Sequence, residues 1–155
     1  MEILIRNQSR KKLIDAKQLR KLALLVMENL LEDTPFINPQ VSLLFVDDAK
    51  IRKLNCKYRK IDTPTDVLSF PMLGEHPSSP NLEEPTILGD IVISLETASL
   101  QAHEQKHPLE KEIAVLLIHG FLHLLDFDDQ EPKERKRMFS IQNRWIEFFE
   151  TRGTI

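Results

Sequence analysis

The sequence contains little cysteine and no long apolar segment. Cys56 is the only cysteine among 155 residues, so no disulfide can form within the chain. Small secreted domains usually depend on disulfides, and their absence favours a reducing compartment. No apolar run exceeds six residues, as in 113–118, whereas a membrane-spanning helix needs about 20. We therefore expect a cytoplasmic protein with no membrane partner.

An excess of charge of one sign is also missing. The chain has 21 Lys and Arg against 24 Asp and Glu, a formal net charge of −3. This balance excludes a uniformly basic nucleic-acid coat protein and argues against an acidic disordered tail. The average conceals an asymmetry, because residues 1–60 contain 13 basic and 7 acidic residues while residues 61–155 contain 8 and 17. This separation of basic residues in the first segment from acidic residues in the second requires a structural or functional explanation.

The length and the hydrophobic pattern predict one folded unit. A chain of 155 residues fits a single domain over residues 1–155, since domains typically contain about 100–200 residues. Short alternating or branched apolar segments predict strands at 2–5, 41–46, 67–70 and 87–94. Capping residues and helical spacing predict helices that start after Asp15, after Asp47 or Asp48, after Ser94, at Pro108 and at Pro132.

The order of these elements is β-α-β-α-β-β-α-α-α, which indicates an α+β fold with a small mixed sheet packed with about five helices. Residues 71–86 contain four prolines and predict a loop. A loop of this length is either functional, as a lid, or a tolerated insertion.

His119 and His123 are four residues apart on a predicted helix. Four residues turn the helix by 400°, so the rings differ by only about 40° in direction and about 6 Å along the axis. Such a pair can bind one metal ion, with Asp126, Asp128 or Asp129 as a third ligand where the helix ends. Two histidines and one carboxylate leave a position free for water, which is typical of catalytic zinc. We expect a metal site at the end of a central helix.

The histidine pair has a simpler interpretation, because the spacing occurs by chance and many buried histidines are only hydrogen-bonded core residues. The preceding residues 113–118 are all apolar, so burying two polar rings there costs free energy unless the rings have partners. The acidic cluster supplies such partners and favours a metal site. Gly120 stands where the common metalloprotease helix has its glutamate base. The sequence therefore shows no peptidase base beside the metal.

A basic segment occupies residues 49–61, which contain six Lys or Arg and no acid. Lys53, Lys57 and Lys60 could hold an RNA backbone. Tyr58 could stack on a base, and Arg59 could bind a phosphate with two parallel hydrogen bonds. A solvated helix face is the alternative for any charge run. The segment supplies most of the positive excess of residues 1–60. Binding of a polyanion is therefore as good an interpretation of this segment as a solvated helix face.

Three motifs resemble those of the YbeY family. His119-Gly-Phe-Leu-His123-Leu with its acidic tail resembles the family's HGxLHLxGYDH. Residues 54–71 resemble LNxxYRxxDxPTDVLSFP, and residues 88–94 resemble LGDIxIS. The motifs occur in the family's order between about residues 41 and 130, and the total length fits.

The resemblance implies a bacterial, metal-dependent endoribonuclease, specific for single strands, that acts in ribosomal RNA maturation and ribosome quality control. Its action includes the 3′ end of 16S RNA. The implied substrate is ribosomal RNA, and the implied partners are the ribosome or small-subunit assembly factors. We expect a monomer.

The resemblance also implies one metal ion, usually zinc, held by three histidines at positions 119, 123 and 129. Two of these are His119 and His123, whereas position 129 is Asp129, and aspartate is also a zinc ligand. We expect Zn²⁺ or another divalent transition metal. The family's glycine at position 126 is Asp126, a residue type that tolerates a left-handed backbone better than most. Its tyrosine at position 127 is Phe127.

The functional arginine of the family corresponds to Arg59. The implied mechanism has a metal ion at His119 that polarises a water, a ribose 2′-OH or a phosphate oxygen, while Arg59 neutralises charge on the scissile phosphate. Two other functions compete with this one. The first is a metal-dependent hydrolase of another substrate class, and the second is a non-catalytic ribosome-assembly factor with a structural metal.

Overall fold

The computed structural model describes residues 1–73 and 84–155. Within them the strands are β1 (Glu2–Asn7), β2 (Gln40–Val46), β3 (Val67–Pro71) and β4 (Ile87–Ser94). The helices are α1 (Ala16–Leu31), α2 (Asp48–Arg59), α3 (Leu95–Gln105), α4 (Leu109–Leu124) and α5 (Pro132–Thr151). The predicted α+β class and the predicted order of elements are confirmed. Most of the predicted loop at 71–86 lies outside the described residues.

The helix starts follow from local hydrogen bonding. The Asp15 carboxylate accepts hydrogen bonds from the N–H groups of Lys17 and Gln18 at 2.9 and 3.3 Å, and the Ser94 hydroxyl accepts one from Thr97 N–H at 3.2 Å. Both are N-caps that satisfy otherwise unpaired N–H groups. Pro108 is the residue before α4 rather than its first residue. Its missing N–H costs nothing at either position.

The four strands form one mixed sheet in the order β1-β2-β4-β3. β1 and β4 both run parallel to β2, whereas β3 pairs antiparallel to β4. Because residues of a strand alternate between the two faces, Leu43 and Phe45 enter the large core while Val46 packs on the other face. On that second face Ile51 of α2 covers Val46 and Leu68.

Helix α4 is the centre of the large core and packs against α1, α3, α5, β3 and β4. After its charged first turn the helix is buried on almost every side, which explains why residues 113–124 are apolar apart from the two histidines rather than amphipathic. Within residues 1–73 and 84–155, no helix has the length and apolar character needed to cross a membrane.

Gly120 allows α4 to lie directly on the sheet. A Cβ atom at this position would be 2.9 Å from Ile91 Cγ2, 3.1 Å from Ser69 Oγ and 3.3 Å from Val67 Cγ2. The Ser69 hydroxyl donates a hydrogen bond to the Gly120 carbonyl at 3.1 Å. The absent side chain therefore lets β3 approach the helix turn that lies between His119 and His123.

We predict that Gly120→Val destabilises the fold, because three Cγ or Oγ neighbours must move to accept the new side chain. Overpacking of this kind costs about 1–3 kcal/mol. Thermal and urea unfolding should report the loss. Ser140→Val is the matched control, since it adds the same branched side chain at an exposed position of α5. Equal stability of the two variants would contradict the close contact at Gly120.

Candidate metal centre

The two histidines come from the last turns of α4, and the third candidate ligand comes from the turn that follows. Asp126 adopts a left-handed backbone conformation with φ of 70°. The Phe127 N–H donates back to the Leu122 carbonyl at 3.0 Å, which closes the helix end. The chain therefore reverses direction and returns Asp129 to the face that carries the histidines. Aspartate at position 126 takes the conformation that the resemblance assigned to glycine.

Three side chains converge at this point, namely His119, His123 and Asp129, and we call them the candidate metal centre. The two Nε2 atoms are 3.1 Å apart. Asp129 Oδ2 lies 3.8 Å from His119 Nε2 and 3.7 Å from His123 Nε2. A tetrahedral zinc ion with ligands at about 2.0–2.1 Å requires ligand atoms about 3.3 Å apart. The observed separations are close to that geometry.

The partners of the two Nδ1 atoms favour the tautomer in which both Nε2 atoms carry lone pairs. His119 Nδ1 lies 2.9 Å from Gln142 Oε1, and His123 Nδ1 lies 3.0 Å from the Phe127 carbonyl oxygen. Because both partner oxygens are acceptors, this tautomer places a proton on each Nδ1. Two lone pairs and a carboxylate oxygen then point at one volume, which is repulsive without a cation. The donor set therefore fits a divalent metal ion, and the oxygens at Nδ1 orient the rings.

The electrostatics of His123 favour the same state. Burial, together with the neighbouring His119, lowers the pKa of His123 from the ordinary histidine value. Arg59 adds to the lowering, while Asp129 and the Phe127 carbonyl oppose it. A lowered pKa keeps the ring neutral at pH 7, and the neutral ring is the form that binds a metal.

The sequence left three aspartates open as the third ligand, and the structure separates them. Of the three aspartates, only Asp129 has a carboxylate oxygen within 4.8 Å of ligand nitrogens of both His119 and His123 in the part of the chain that the structure describes. The Asp128 carboxylate accepts hydrogen bonds from the N–H groups of Asp129 and Gln130 at 2.7 and 3.1 Å, so it shapes the turn. Asp126 is exposed and supplies the left-handed residue.

Arg59 lies in the same cleft as the candidate metal centre. The cleft has a volume of about 400 Å³. The residues that line it are Arg59, Thr65, Asp66, Val67, Ser69, Pro71, His119, His123, Asp128, Asp129 and Gln130. The structure thus brings together the basic segment and the acidic turn, which are 70 residues apart between Arg59 and Asp129.

Two contacts hold the C-terminal end of α2 beside the cleft. Buried Asn55 donates from Nδ2 to the Thr63 carbonyl at 2.9 Å. Arg52 donates to both carboxylate oxygens of Asp62, at 2.9 and 3.3 Å. Lys60 ends the helix in a left-handed conformation. Arg52 of the basic segment is therefore not a free positive charge. It pairs with Asp62 and contacts the loop that leads into β3.

The other sequence-predicted RNA contacts lie outside the cleft lining. Lys53, Lys57, Tyr58 and Lys60 are exposed on α2 or just after it. The Tyr58 ring is 55% exposed and rests edge-on against Phe70 with a centroid distance of 5.2 Å. The structure therefore does not place these four side chains in the wall of the cleft.

Several site residues escaped sequence reasoning. Thr65, Asp66 and Ser69 line the cleft, and the motif at residues 54–71 was the sequence signal that could have identified them. Gln142 had no local signal, because it lies on α5, 19 residues beyond His123. Tertiary packing brings it to His119.

The fold is α+β with a mixed sheet, and two histidines and one aspartate converge at the end of its central helix. These features define a candidate metalloenzyme whose cleft is lined by an arginine as well as by acidic residues. The chain belongs to the family described as Endoribonuclease YbeY, whose family model matches residues 4–150. The family resemblance predicted from the motifs is therefore confirmed.

Individual relatives agree with that assignment. An endoribonuclease YbeY from Caldanaerobacter subterraneus subsp. tengcongensis is 41% identical over 154 residues, which cover 95% of this chain and 96% of the relative. One from Heliobacterium modesticaldum is 42% identical over 134 residues, covering 81% and 78%. The solution structure of TM1509 from Thermotoga maritima matches with a TM-score of 0.64 and 28% identity, covering 97% of this chain and 93% of that one.

We predict that Asp129→Asn weakens Zn²⁺ binding by at least tenfold, because the substitution removes the anionic ligand from the candidate metal centre. Competition titration against a chromophoric chelator measures the affinity. Asp126→Asn is the matched control, since it removes the same charge at an exposed left-handed position that asparagine tolerates. An equal loss in both variants would mean that only net charge matters and would remove Asp129 from the ligand set.

We also predict that Gln142→Leu weakens Zn²⁺ binding by about 10–100-fold, the usual effect of removing a partner that orients a ligand. His119 then lacks the acceptor that fixes its Nδ1 proton. Gln142→Glu, which restores an acceptor of the same size, should recover the affinity. Unchanged affinity in Gln142→Leu would show that α4 alone orients His119.

Proposed function

We propose that the protein is a metal-dependent endoribonuclease that cleaves single-stranded ribosomal RNA during its maturation. The observation that carries this proposal is the position of Arg59 in one cleft with His119, His123 and Asp129. A cation beside a metal centre suits a phosphodiester, whose transition state concentrates negative charge on the phosphate oxygens. The name of the family supplies the RNA substrate class.

The candidate metal centre supplies the reactive half of this mechanism. We propose Zn²⁺ as the ion, with other divalent transition metals as alternatives, because two imidazoles and one carboxylate suit this group of metals. When bound, the ion supplies Lewis-acid chemistry that neutralises phosphate charge and activates a nucleophile. His119 and His123 present neutral Nε2 atoms to it, and Asp129 offsets part of its charge.

Arg59 supplies the other half. It stands on the last turn of α2, which the Asn55 and Arg52 contacts fix against the loop into β3. A guanidinium on this helix end can donate two parallel hydrogen bonds to a phosphate as charge builds on it. Arg59 and His119 are therefore the residues that we assign to catalysis, the second as a ligand.

Exposed side chains of α2 and the residue after it extend the contact to the RNA chain. Lys53, Lys57 and Lys60 can neutralise neighbouring phosphates, and such contacts weaken with salt. Tyr58 can stack on an unpaired base, which favours a single strand over a duplex. The basic segment 49–61, which carries six of the 13 basic residues of the first half, includes the Arg59 that lines the cleft.

The polar groups in the cleft disfavour the first alternative, a peptidase-like hydrolase. Gly120 offers no base, and the Asp66 carboxylate is already engaged by Val67 N–H at 2.7 Å and by the Gln101 amide at 3.2 Å. The second alternative, an assembly factor with a structural metal, fits the ligand count less well. Structural zinc sites are closed by four protein ligands, whereas three converge in the described residues.

The proposal also covers the domain organisation, oligomeric state, cellular location and partners of the protein. We propose that residues 1–155 act as a single monomeric domain in the cytoplasm, with the ribosome or small-subunit assembly factors as partners. The packing of α1, α3, α4 and α5 in one core supports a single domain.

Arg59→Ala tests the proposal. We predict at least a 100-fold loss of cleavage of ribosomal RNA precursors, as expected when one preorganised charge donor is removed, with bound metal unchanged. Lys50→Ala is the control, because it removes a charge from the first turn of the same helix, about 14 Å away along the axis. Metal-stripped wild-type protein should also be inactive.

Undiminished cleavage by Arg59→Ala would remove Arg59 from the mechanism. Cleavage that survives complete metal removal would favour the view that the metal is structural. Hydrolysis of peptides that RNA does not inhibit would favour the other hydrolase class.

A further inference from the structure

Helix α5 contributes more to the candidate metal centre than its remote position in the sequence suggests. Besides the Gln142 contact, Arg135 donates from Nε to the Asp129 carbonyl at 2.8 Å. The Phe139 ring lies beside the His119 ring, with centroids 6.0 Å apart and planes tilted by 47°. Positions 135, 139 and 142 are separated by four and three residues, so they share one face of the helix. That face is turned towards the metal ligands.

Phe139 is the most solvent-exposed large hydrophobic side chain that α5 presents within the described residues. It is 39% exposed, whereas Met138 and Phe149 of the same helix are buried in the core. Trp145, Phe148 and Phe149 pack on one another, but the aromatic neighbour of Phe139 among the described residues is His119. Aromatic residues make up only 6% of the chain. One of them therefore stands half open to solvent directly beside a candidate metal ligand.

A second exposed aromatic ring, Tyr58, stands next to Arg59 on α2. Tyr58 precedes Arg59, which lines the cleft, and Phe70 supports the Tyr58 ring from one edge. Tyr58 belongs to α2 and Phe139 to α5, and of the two rings it is Phe139 that lies beside a candidate ligand. Proteins that bind single-stranded nucleic acid combine such stacking surfaces with basic side chains that follow the backbone. Exposed Arg135 and Lys136 lie within one turn of Phe139 and supply that charge.

We propose that Phe139 forms a base-stacking subsite for single-stranded RNA on the α5 side of the candidate metal centre. This inference rests on the proposed ribonuclease function. An unpaired nucleobase stacks on the exposed face of Phe139, while Arg135 and Lys136 contact the adjoining backbone. The stacked base then fixes the position of the strand relative to the ligands, because Phe139 lies directly beside His119. A single half-exposed ring is too small to anchor a protein partner, since stable protein interfaces bury over about 1,000 Å².

Binding of short single-stranded RNA to the zinc-loaded protein tests the subsite. The oligonucleotides carry 2-aminopurine at one position, and stopped-flow fluorescence records stacking before cleavage. Phe139→Leu keeps an apolar side chain without a π-face and should weaken binding about fivefold or more, the range for loss of one stacked base. Phe139→Trp should keep or increase the affinity.

A scan with abasic oligonucleotides identifies the base concerned. At one position, removal of the base should weaken binding to the wild type, while Phe139→Leu binds the abasic and the intact RNA alike. Additive losses at every position would overturn the proposal, as would wild-type affinity in Phe139→Leu. Loss of bound zinc in Phe139→Leu would also overturn it, because the ring would then only support His119.

The controls separate this inference from the proposed function. If the wild type cleaves RNA and Phe139→Leu binds it equally well, only the stacking subsite fails. If the wild type neither binds nor cleaves RNA, the ribonuclease function itself fails, and the stacking subsite falls with it.

Discussion

The structure around the candidate site depends on one requirement, that two imidazole rings at the end of a buried apolar helix satisfy all four of their ring nitrogens. Two of these nitrogens, the Nδ1 atoms, find oxygen acceptors in Gln142 and in the Phe127 carbonyl. The other two converge with Asp129 Oδ2 on one volume. An unpaired buried polar group costs about 1–3 kcal/mol, so this arrangement is stable when a cation accepts the lone pairs. The position of α5 and the turn after α4 both serve this requirement.

The sheet sets the second boundary of the site. Because Gly120 lacks a side chain, β3 approaches the helix turn that carries the histidines, and Ser69 bonds to the Gly120 carbonyl. The loop before β3 is in turn held by Asn55 and Arg52 of α2. The same contacts therefore fix both the helix with the metal ligands and the helix with Arg59. The end of α2, which carries Arg59, and the turn after α4, which carries Asp129, both line the cleft. Among the ion pairs of the described residues there is none between Arg59 and Asp129.

The charge of the chain illustrates why overall composition is a weak guide. A net charge of −3 argues against a nucleic-acid partner only if charge is spread evenly. In the folded protein Arg52 pairs with Asp62, whereas Arg59 lines the cleft. Local charge at a site decides binding, since screening removes interactions beyond about 8–10 Å at ordinary ionic strength.

The sequence by itself determined the order of the elements, the α+β class and the pair His119 and His123, because hydrophobic period, capping and helical spacing act over a few residues. It identified the family through the resemblance of three motifs. It narrowed the third ligand only to three aspartates, and it offered no sign of Gln142 or Phe139. Those choices depend on the left-handed turn at Asp126 and on how α5 packs against α4. Tertiary structure decided them, because contacts between distant segments arise from the packing of whole faces and not from local pattern.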